Sequence, residues 1–419
     1  MTAYIYAIAT LDTKGRELAF VADAIRQAGA KVRTVDVGTQ FAPAVTADIP
    51  RETVAACHAR GKDSVLGLSD RGTAVTAMSE ALVALLTRHH AEGSVAGVIG
   101  LGGTGGTALI APAMRALPVG LPKVLVSTVA SGNTAPYIGS CDITLMPSVV
   151  DVSGINRVSR QVLANAAHAI AGMVAHRRTD ASEKPAVAMT MFGVTTPCVT
   201  AVREALEAEG NDVLVFHATG TGGQAMEKLV ESGLVSGVVD VTTTEVADEI
   251  VGGIFPAGPA RFEAILAKGV PYVLSVGALD MVNFGALPTV PAEFRERTLH
   301  VHNAQITLMR TTAEENQRIA RWIAHKLNRS TSPLILMIPE GGVSALDAPG
   351  QPFFDPRADA ALFAELEAAV QVTPDRQIRR LPLHINDPAF AQALAAAYQE
   401  LQARAAHDRS DAAVDTDGG

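Results

Sequence analysis

Two short stretches of the chain concentrate groups that can hold an anion. Gly100-Leu-Gly102-Gly103-Thr104-Gly105-Gly106-Thr107 follows an apolar, strand-like run and precedes the helix-like segment Ala108–Ala116. Glycines let backbone N–H groups approach an anion closely, and a helix N-terminus adds partial positive charge. The pattern is neither a P-loop, since no Gly-Lys-Ser/Thr follows, nor a clean GxGxxG. Its bland alternative is a tight strand-to-helix turn. Thr10-Leu-Asp12-Thr13-Lys14-Gly15 follows the first strand-like run. It brings hydroxyls, a carboxylate and an ammonium together on a turn that opens a helix, where Asp12 or Thr13 can equally serve as a cap.

Further polar loops fall at the ends of apolar runs, where ligands of open parallel sheets sit. Ser131-Gly132-Asn133 offers small hydroxyl and amide groups. In the second half, Thr219-Gly220-Thr221-Gly222-Gly223 reads as a second anion cradle, and Asp240-Val-Thr-Thr243-Thr244-Glu245 supplies hydroxyls and carboxylates. The acid/base candidates are Asp12, Asp240, Glu245, Asp280, His217 and His302, each of which has a structural alternative. His217, ending an apolar strand beside glycines, is the favoured general base. Carboxylates at strand ends can bind Mg²⁺ together with phosphates, since that ion needs only one or two protein oxygens. Cys57, Cys141 and Cys198 form no ligand pattern. Cys198, next to a Thr-rich loop, is the thiol to watch as a nucleophile. No HExxH or GxSxG is present.

The elements that must position these loops follow from hydropathy. Tyr4–Ala9 predicts a strand, Arg16–Gln27 a helix ended by Gly29, and Lys31–Val37 a second strand. Val95–Gly100 and Val124–Ser127 predict buried strands, and Ile155–Val174 a long helix. The second half repeats the order with Ala186–Phe192, Val199–Glu207 ended by Gly210, and Asp212–His217. Four matches recur in sequence: the strand–helix–strand around Gly29 and Gly210, Gly93–Ile99 with Gly233–Val239, Leu121–Leu125 with Val270–Leu274, and Ile143–Met146 with Ile306–Met309. Ordered repeats of this kind predict a duplicated unit. The expected fold is α/β, two Rossmann-like domains with doubly wound, mainly parallel sheets, related by duplication, with a ligand crevice between them. The expected bounds are 1–180 and 185–405, joined at Thr179–Pro185, with an insertion near Asn283–His300 and a frayed tail over 406–419.

Composition agrees with that class. The 419 residues are 48% hydrophobic and 18% charged, with only 4% aromatic, so the core must be built from Ala, Val, Leu and Ile. A net charge of −9 argues against a nucleic-acid partner. No basic signal-peptide start and no apolar run of membrane-spanning length are present, so a cytoplasmic protein is expected.

Taken together, TLDTKG, GLGGTGGT, VSTVASGN, PYIGSCDITLMPSVVDVSGINR, MFGVTTPC, FHATGTGGQAMEKL, DVTTTEVAD, GALDMVNFG, HNAQITLMRTT, PEGGVS and HINDPAF resemble one uncharacterised family over nearly the whole chain. In plants this family forms the ATP-binding, inhibitory domain of a tomato mosaic virus resistance protein. The resemblance implies two Rossmann-like subdomains, a homodimer, and binding of ATP with Mg²⁺. Relatives often occur with a TIM-barrel protein, which for this chain would be a separate partner. The family's motifs fall on Asp12, Thr13 and Lys14, on Gly102, Gly103, Thr104, Gly105, Gly106 and Thr107, and on Ser131, Gly132 and Asn133. The reading that follows is an ATP-binding protein acting on a small carboxylated or phosphorylated metabolite, by phosphoryl transfer or ATP-dependent activation. Thr10, Lys14, Thr243, Thr244 and the two glycine loops would hold phosphates, and Asp12 or Glu245 the Mg²⁺. Its rivals are a nucleotide-regulated module that docks on a partner, and an isomerase or lyase whose anion loops hold substrate. A dinucleotide enzyme is disfavoured, with Asp36 the residue that keeps it open.

Overall fold

The computed structural model describes residues 2–43, 45–178 and 184–416. The chain forms two compact units, Met1–Ala181 and Ser182–Gly419. Of the predicted linker Thr179–Pro185, residues 179–183 lie outside the described residues.

Unit 1 runs β1 (Tyr4–Ala9), α1 (Leu11–Gln27), β2 (Val32–Asp36), α2 (Arg51–Ala55), α3 (Asp63–Leu66), α4 (Arg71–Ala91), β3 (Val95–Gly102), α5 (Thr104–Ala116), β4 (Lys123–Ser127), α6 (Ala135–Ile138), β5 (Thr144–Pro147) and α7 (Arg157–Ala175). Its five strands are all parallel, in the order β2-β1-β3-β4-β5. Both faces are covered, which is why the strands read as apolar throughout. Ile5, Ala7 and Ala9 pack with residues of α1 and α7. Tyr6 and Ile8, one step out of phase, pack with α4 and α5. The order reverses between β1 and β3, so α1 and α5 leave the sheet on opposite faces and open a crevice at the strand ends. Ile8 sits level with Gly100, which sets the Thr10–Lys14 segment beside the glycine-rich one.

Unit 2 runs β6 (Ala186–Met191), α8 (Thr196–Ala208), β7 (Asp212–His217), α9 (Thr221–Glu231), β8 (Gly237–Thr242), α10 (Thr244–Val251), α11 (Glu263–Lys268), β9 (Tyr272–Gly277), β10 (Met281–Phe284), β11 (Leu299–Asn303), β12 (Ile306–Arg310), α12 (Ala313–Leu327), β13 (Leu334–Pro339), α13 (Pro356–Ala369), β14 (Arg376–Leu381) and α14 (Pro388–Thr416). Six strands form a parallel sheet in the order β7-β6-β8-β9-β13-β14, and β10, β12 and β11 form a small antiparallel sheet. Its first four strands follow the same order as those of unit 1. One core lies against α8 and α14, the other against α9 to α13.

The helix-ending glycines fall where expected, with Gly29 at φ +82° and Gly210 at φ +89°, a conformation in which a Cβ is strained. Three of the four repeated segments lie on strands in equivalent positions. The fourth does not: Ile143–Met146 enters β5 of the parallel sheet, whereas Ile306–Met309 lies on β12 of the antiparallel insertion. Two helices start earlier than hydropathy placed them. α1 begins at Leu11 and α5 at Thr104, because glycine and threonine in a first turn carry no apolar signal. The last helix continues to Thr416, so the expected frayed tail is helical in backbone to that point, and residues 417–419 lie outside the described residues.

Candidate functional site

The segments after β1, β2 and β3 and the start of α4 line a single cavity of about 420 Å³ in unit 1. Thr10, Asp12, Thr13 and Lys14 form one wall, and Gly103, Thr104, Gly105 and Gly106 another. Gly103 caps α5 without a side chain, and the first intrahelical bond is the one from the Thr107 amide to the Gly103 carbonyl, 2.8 Å. The amides of Thr104, Gly105 and Gly106 therefore point outward with no acceptor among the described residues, as the first turn of a helix leaves them. A Cβ on Gly105 would lie 3.7 Å from Nη2 of Arg71, whose guanidinium has no ion-pair or hydrogen-bond partner among the described residues.

Arg71 escaped the sequence reading, as did Thr39, Gln40, Phe41, Val75 and Leu109, which complete the cavity. A signal for Arg71 was present. Asp70 is an N-cap whose side chain accepts from the Thr73 amide at 2.8 Å, so Arg71 had to open a helix. Those bonds to Thr73 also hold the Asp70 carboxyl below its usual range.

Within the cavity the charged residues from the β1 loop are already engaged. Asp12 Oδ2 accepts from the amides of Gln40 (3.1 Å) and Phe41 (3.4 Å), while Oδ1 is buried without a partner. Lys14, at a kink in α1 (φ −127°), donates to the Val152 carbonyl. Thr13 and Thr10 share a hydroxyl–hydroxyl bond of 2.8 Å. Thr107 and Gly102 stand behind the cavity. The Thr107 hydroxyl meets that of Ser127 at 2.6 Å, fully buried. A Cβ on Gly102 would come within 2.5 Å of the Thr107 amide nitrogen, so only glycine permits the turn from β3 into α5. Ser131, Gly132 and Asn133 lie on an exposed loop and do not line the cavity. Asp36 is no ribose reader: it is 2% exposed, and its Oδ1 accepts from the Leu11 and Gly38 amides.

The second cradle exists, but the protein fills it with its own carboxylate. Glu245 Oε1 accepts from the Gly220 amide at 2.7 Å and the Gly223 amide at 3.0 Å, and Oε2 accepts from Arg261 Nε at 3.0 Å. A Cβ on Gly223 would strike the same carboxylate, and one on Gly222 the His217 carbonyl. Arg261 also binds both oxygens of Asp240 and reaches Glu227, and Asp240 accepts from the hydroxyls of Tyr272 and Thr190. Desolvation pushes Glu245 upward in pKa against the pull of Arg261. Glu245 is therefore a corrected assignment, since both oxygens are occupied and fully buried and neither is free for Mg²⁺ or proton transfer.

Thr243 and Thr244 are likewise sealed. Thr243 donates its hydroxyl to the Ser275 carbonyl, and the Thr244 oxygen accepts from Asn283 Nδ2 at 3.3 Å. Thr221 merely starts α9, with Gly220 ahead of it at φ +79°. His217 is exposed at the end of β7, an edge strand of the unit 2 sheet, and His302 is exposed on β11. Asp280 is buried and accepts from the Ser344 hydroxyl at 2.7 Å. Cys198 is 1% exposed and burial pushes its thiol up to about 12, which removes it as a nucleophile.

One further alignment resembles a hydrolytic triad. His58 lies 2.9 Å from Glu80 and 3.0 Å from the Ser64 hydroxyl. The Arg60 amide already donates to His58 Nδ1, whose single lone pair is thereby used, and Ser64 donates to the Gly61 carbonyl at 2.7 Å. This trio locks the α2–α3 turn and leaves Ser64 unactivated.

Fold and site thus define a two-unit α/β protein with mainly parallel sheets and a cavity at the strand ends of its first unit. Residues 3–179 match the N-terminal domain, and residues 184–402 the C-terminal domain, of the uncharacterised protein family UPF0261, and the chain belongs to that family. It is 56% identical over 397 residues to a UPF0261 protein of Rhizobium meliloti, covering 95% of this chain and 98% of that one. A UPF0261 protein of Clostridium tetani is 47% identical over 397 residues, with 94% and 98% covered. The ToMV resistance protein Tm-1 of Solanum lycopersicum is 48% identical over 424 residues, covering 96% of this chain and 56% of the plant protein. Among the described residues no helix is long and apolar enough to cross a membrane.

Proposed function

We propose that the chain binds a nucleotide, ATP, in the unit 1 cavity. Its phosphates rest on the amides of Thr104, Gly105 and Gly106 and face Arg71. The observation that carries this reading is three adjacent amides without acceptors, opposite a guanidinium without a partner among the described residues, at the point where the strand order reverses. The cavity volume lies in the range of small-molecule sites. Among the described residues Asp12 is the one carboxylate that lines the cavity, so a Mg²⁺ ion would take most of its ligands from phosphate and water. Among the described residues no three His, Cys, Asp or Glu side chains gather to hold a metal alone.

The same cavity favours binding over turnover. Among the described residues no histidine lines it, Lys14 is held by a backbone carbonyl, and Asp12 is held by two amides. A nucleotide-regulated binding module fits this better than phosphoryl transfer or activation of a carboxylated metabolite. The shared order of the first four strands and the three matching repeats support a reading of the units as copies, of which the second has closed its glycine loop with Glu245.

Calorimetric titration with ATP, ADP, inorganic tripolyphosphate and a sugar phosphate, all with Mg²⁺, tests the proposal, paired with a phosphate-release assay. ATP binding without phosphate release is expected. Arg71→Ala should weaken ATP about 10- to 100-fold, the range for a hydrogen bond to a charged group. Binding of the sugar phosphate alone, or an unchanged affinity in the variant, overturns it. Sustained phosphate release would restore the enzymatic reading.

A further inference from the structure

Within the nucleotide reading, on which this inference rests, the structure leaves open which part of the cavity meets the part of the ligand that is not phosphate. Phe41 supplies an answer. Among the described residues it is the only aromatic one that lines the cavity, and 67% of its surface is exposed. Leaving so much of a large apolar side chain in water has no benefit for the fold, because Phe41 belongs to none of the hydrophobic clusters of unit 1.

Its backbone, in contrast, is fixed with care. The Gln40 and Phe41 amides both donate to Asp12 Oδ2, the Phe41 carbonyl accepts from Arg51 Nη1 at 2.5 Å, and the Gly38 amide donates to the buried Asp36 at 2.8 Å. Three charged side chains thus hold a short loop whose one apolar side chain stays uncovered. Val75, one turn along α4 from Arg71, adds a second apolar surface to the same cavity. The cavity therefore has two chemical ends: the α5 amides with Arg71, and Phe41 with Val75. A phosphate, a sugar phosphate or a small carboxylate uses only the first. A nucleotide has a planar aromatic base joined to its phosphates and uses both.

We infer that Phe41 is the stacking platform for the nucleobase, and that Asp12 is a positioning residue which holds the Thr39–Phe41 loop in place. Specificity for a nucleotide over a bare polyphosphate or a sugar phosphate then arises at the end of β2 rather than at the glycine-rich turn. This role also accounts for the carboxylate of Asp12 without requiring it to bind a metal ion or move a proton.

The test compares the full chain and its Phe41→Ala and Phe41→Trp variants by calorimetric titration with ATP and with inorganic tripolyphosphate, each with Mg²⁺. The wild-type chain should bind ATP more tightly than tripolyphosphate. Phe41→Ala should lose about 5- to 150-fold in ATP affinity, the range for removing one base–aromatic stack. Its tripolyphosphate affinity should stay unchanged, and Phe41→Trp should restore ATP binding. Etheno-ATP fluorescence should be quenched by the wild-type and Trp chains and not by the Ala chain. Unchanged ATP affinity in Phe41→Ala, while both ligands still bind, overturns the stacking role and leaves the phosphate site standing. Equal losses for both ligands overturn it too, since they would mean that the loop has collapsed. Binding of neither ligand by the wild-type chain defeats the nucleotide reading itself, and this inference with it.

Discussion

Replacing Glu245 by alanine separates a structural carboxylate from a catalytic or metal-binding one. The side chain is fully buried and satisfies two backbone amides, those of Gly220 and Gly223, together with Arg261 Nε. Each buried amide left without an acceptor costs about 1–3 kcal/mol. Arg261 keeps the bidentate Asp240 and Glu227, so the guanidinium is not stranded. Three carboxylates surround this one guanidinium, and relief of their mutual repulsion offsets part of the loss. A net destabilisation of about 3–5 kcal/mol is expected for Glu245→Ala. About 1–2 kcal/mol is expected for Glu245→Gln, whose carbonyl can still accept from both glycine amides. The single tryptophan of the chain, Trp322, packs with its ring tilted against Phe262 at 5.8 Å, next to Arg261, so its fluorescence in a urea titration reports on unit 2. A free catalytic or metal-binding carboxylate would behave in the opposite way, because its removal leaves stability unchanged or raised. An alanine variant within about 0.5 kcal/mol of wild type, the usual spread for surface changes, would refute the internal-anion reasoning.

Three other outcomes are expected. Gly105→Val meets only the end of Arg71 and sits in a first turn, so melting temperature should hardly move while ATP affinity falls at least about tenfold, as measured by calorimetry. Unit 2 should lose stability as pH rises from about 4 to about 8, because burial raises Asp248 and Asp280 to about 7 and Asp359 to about 8 in the folded chain. The folded state then binds more protons than the unfolded one, so urea midpoints read by Trp322 should be highest at the acid end of that window and lowest above it. Cys198 should resist alkylation in the native chain and react only on unfolding, while the half-buried Cys57 and Cys141 react first; mass spectrometry of labelled peptides distinguishes them.

Much of the scaffold was legible because parallel strands covered on both faces announce themselves as short apolar runs. Tyr4–Ala9, Ala186–Met191 and Asp212–His217 were placed to within a residue, and Gly29 and Gly210 marked their helix ends. The starts of α1 and α5 were less legible, since Asp12–Lys14 and Thr104–Thr107 belong to first turns that contain too little apolar surface to show a period. Arg71 and Phe41 were invisible as site residues for a different reason. They come from segments 30 to 60 residues away from the glycine-rich turn, and only the β2-β1-β3 order brings them beside it.

The sequence by itself determined that the chain alternates strands and helices, that it contains two such runs, and that two glycine-rich turns must expose backbone amides. Those features are local, set by hydropathy period and by glycine's lack of a Cβ. Only the tertiary structure decided what each set of amides faces. At Thr104–Gly106 it is a cavity with an arginine, Arg71, that has no partner among the described residues. At Gly220–Gly223 it is Glu245, folded in from the next strand end, and a motif that reads as a ligand cradle is a closed internal contact. The amide groups are the same in both places, and the difference lies in whether the fold supplies its own anion.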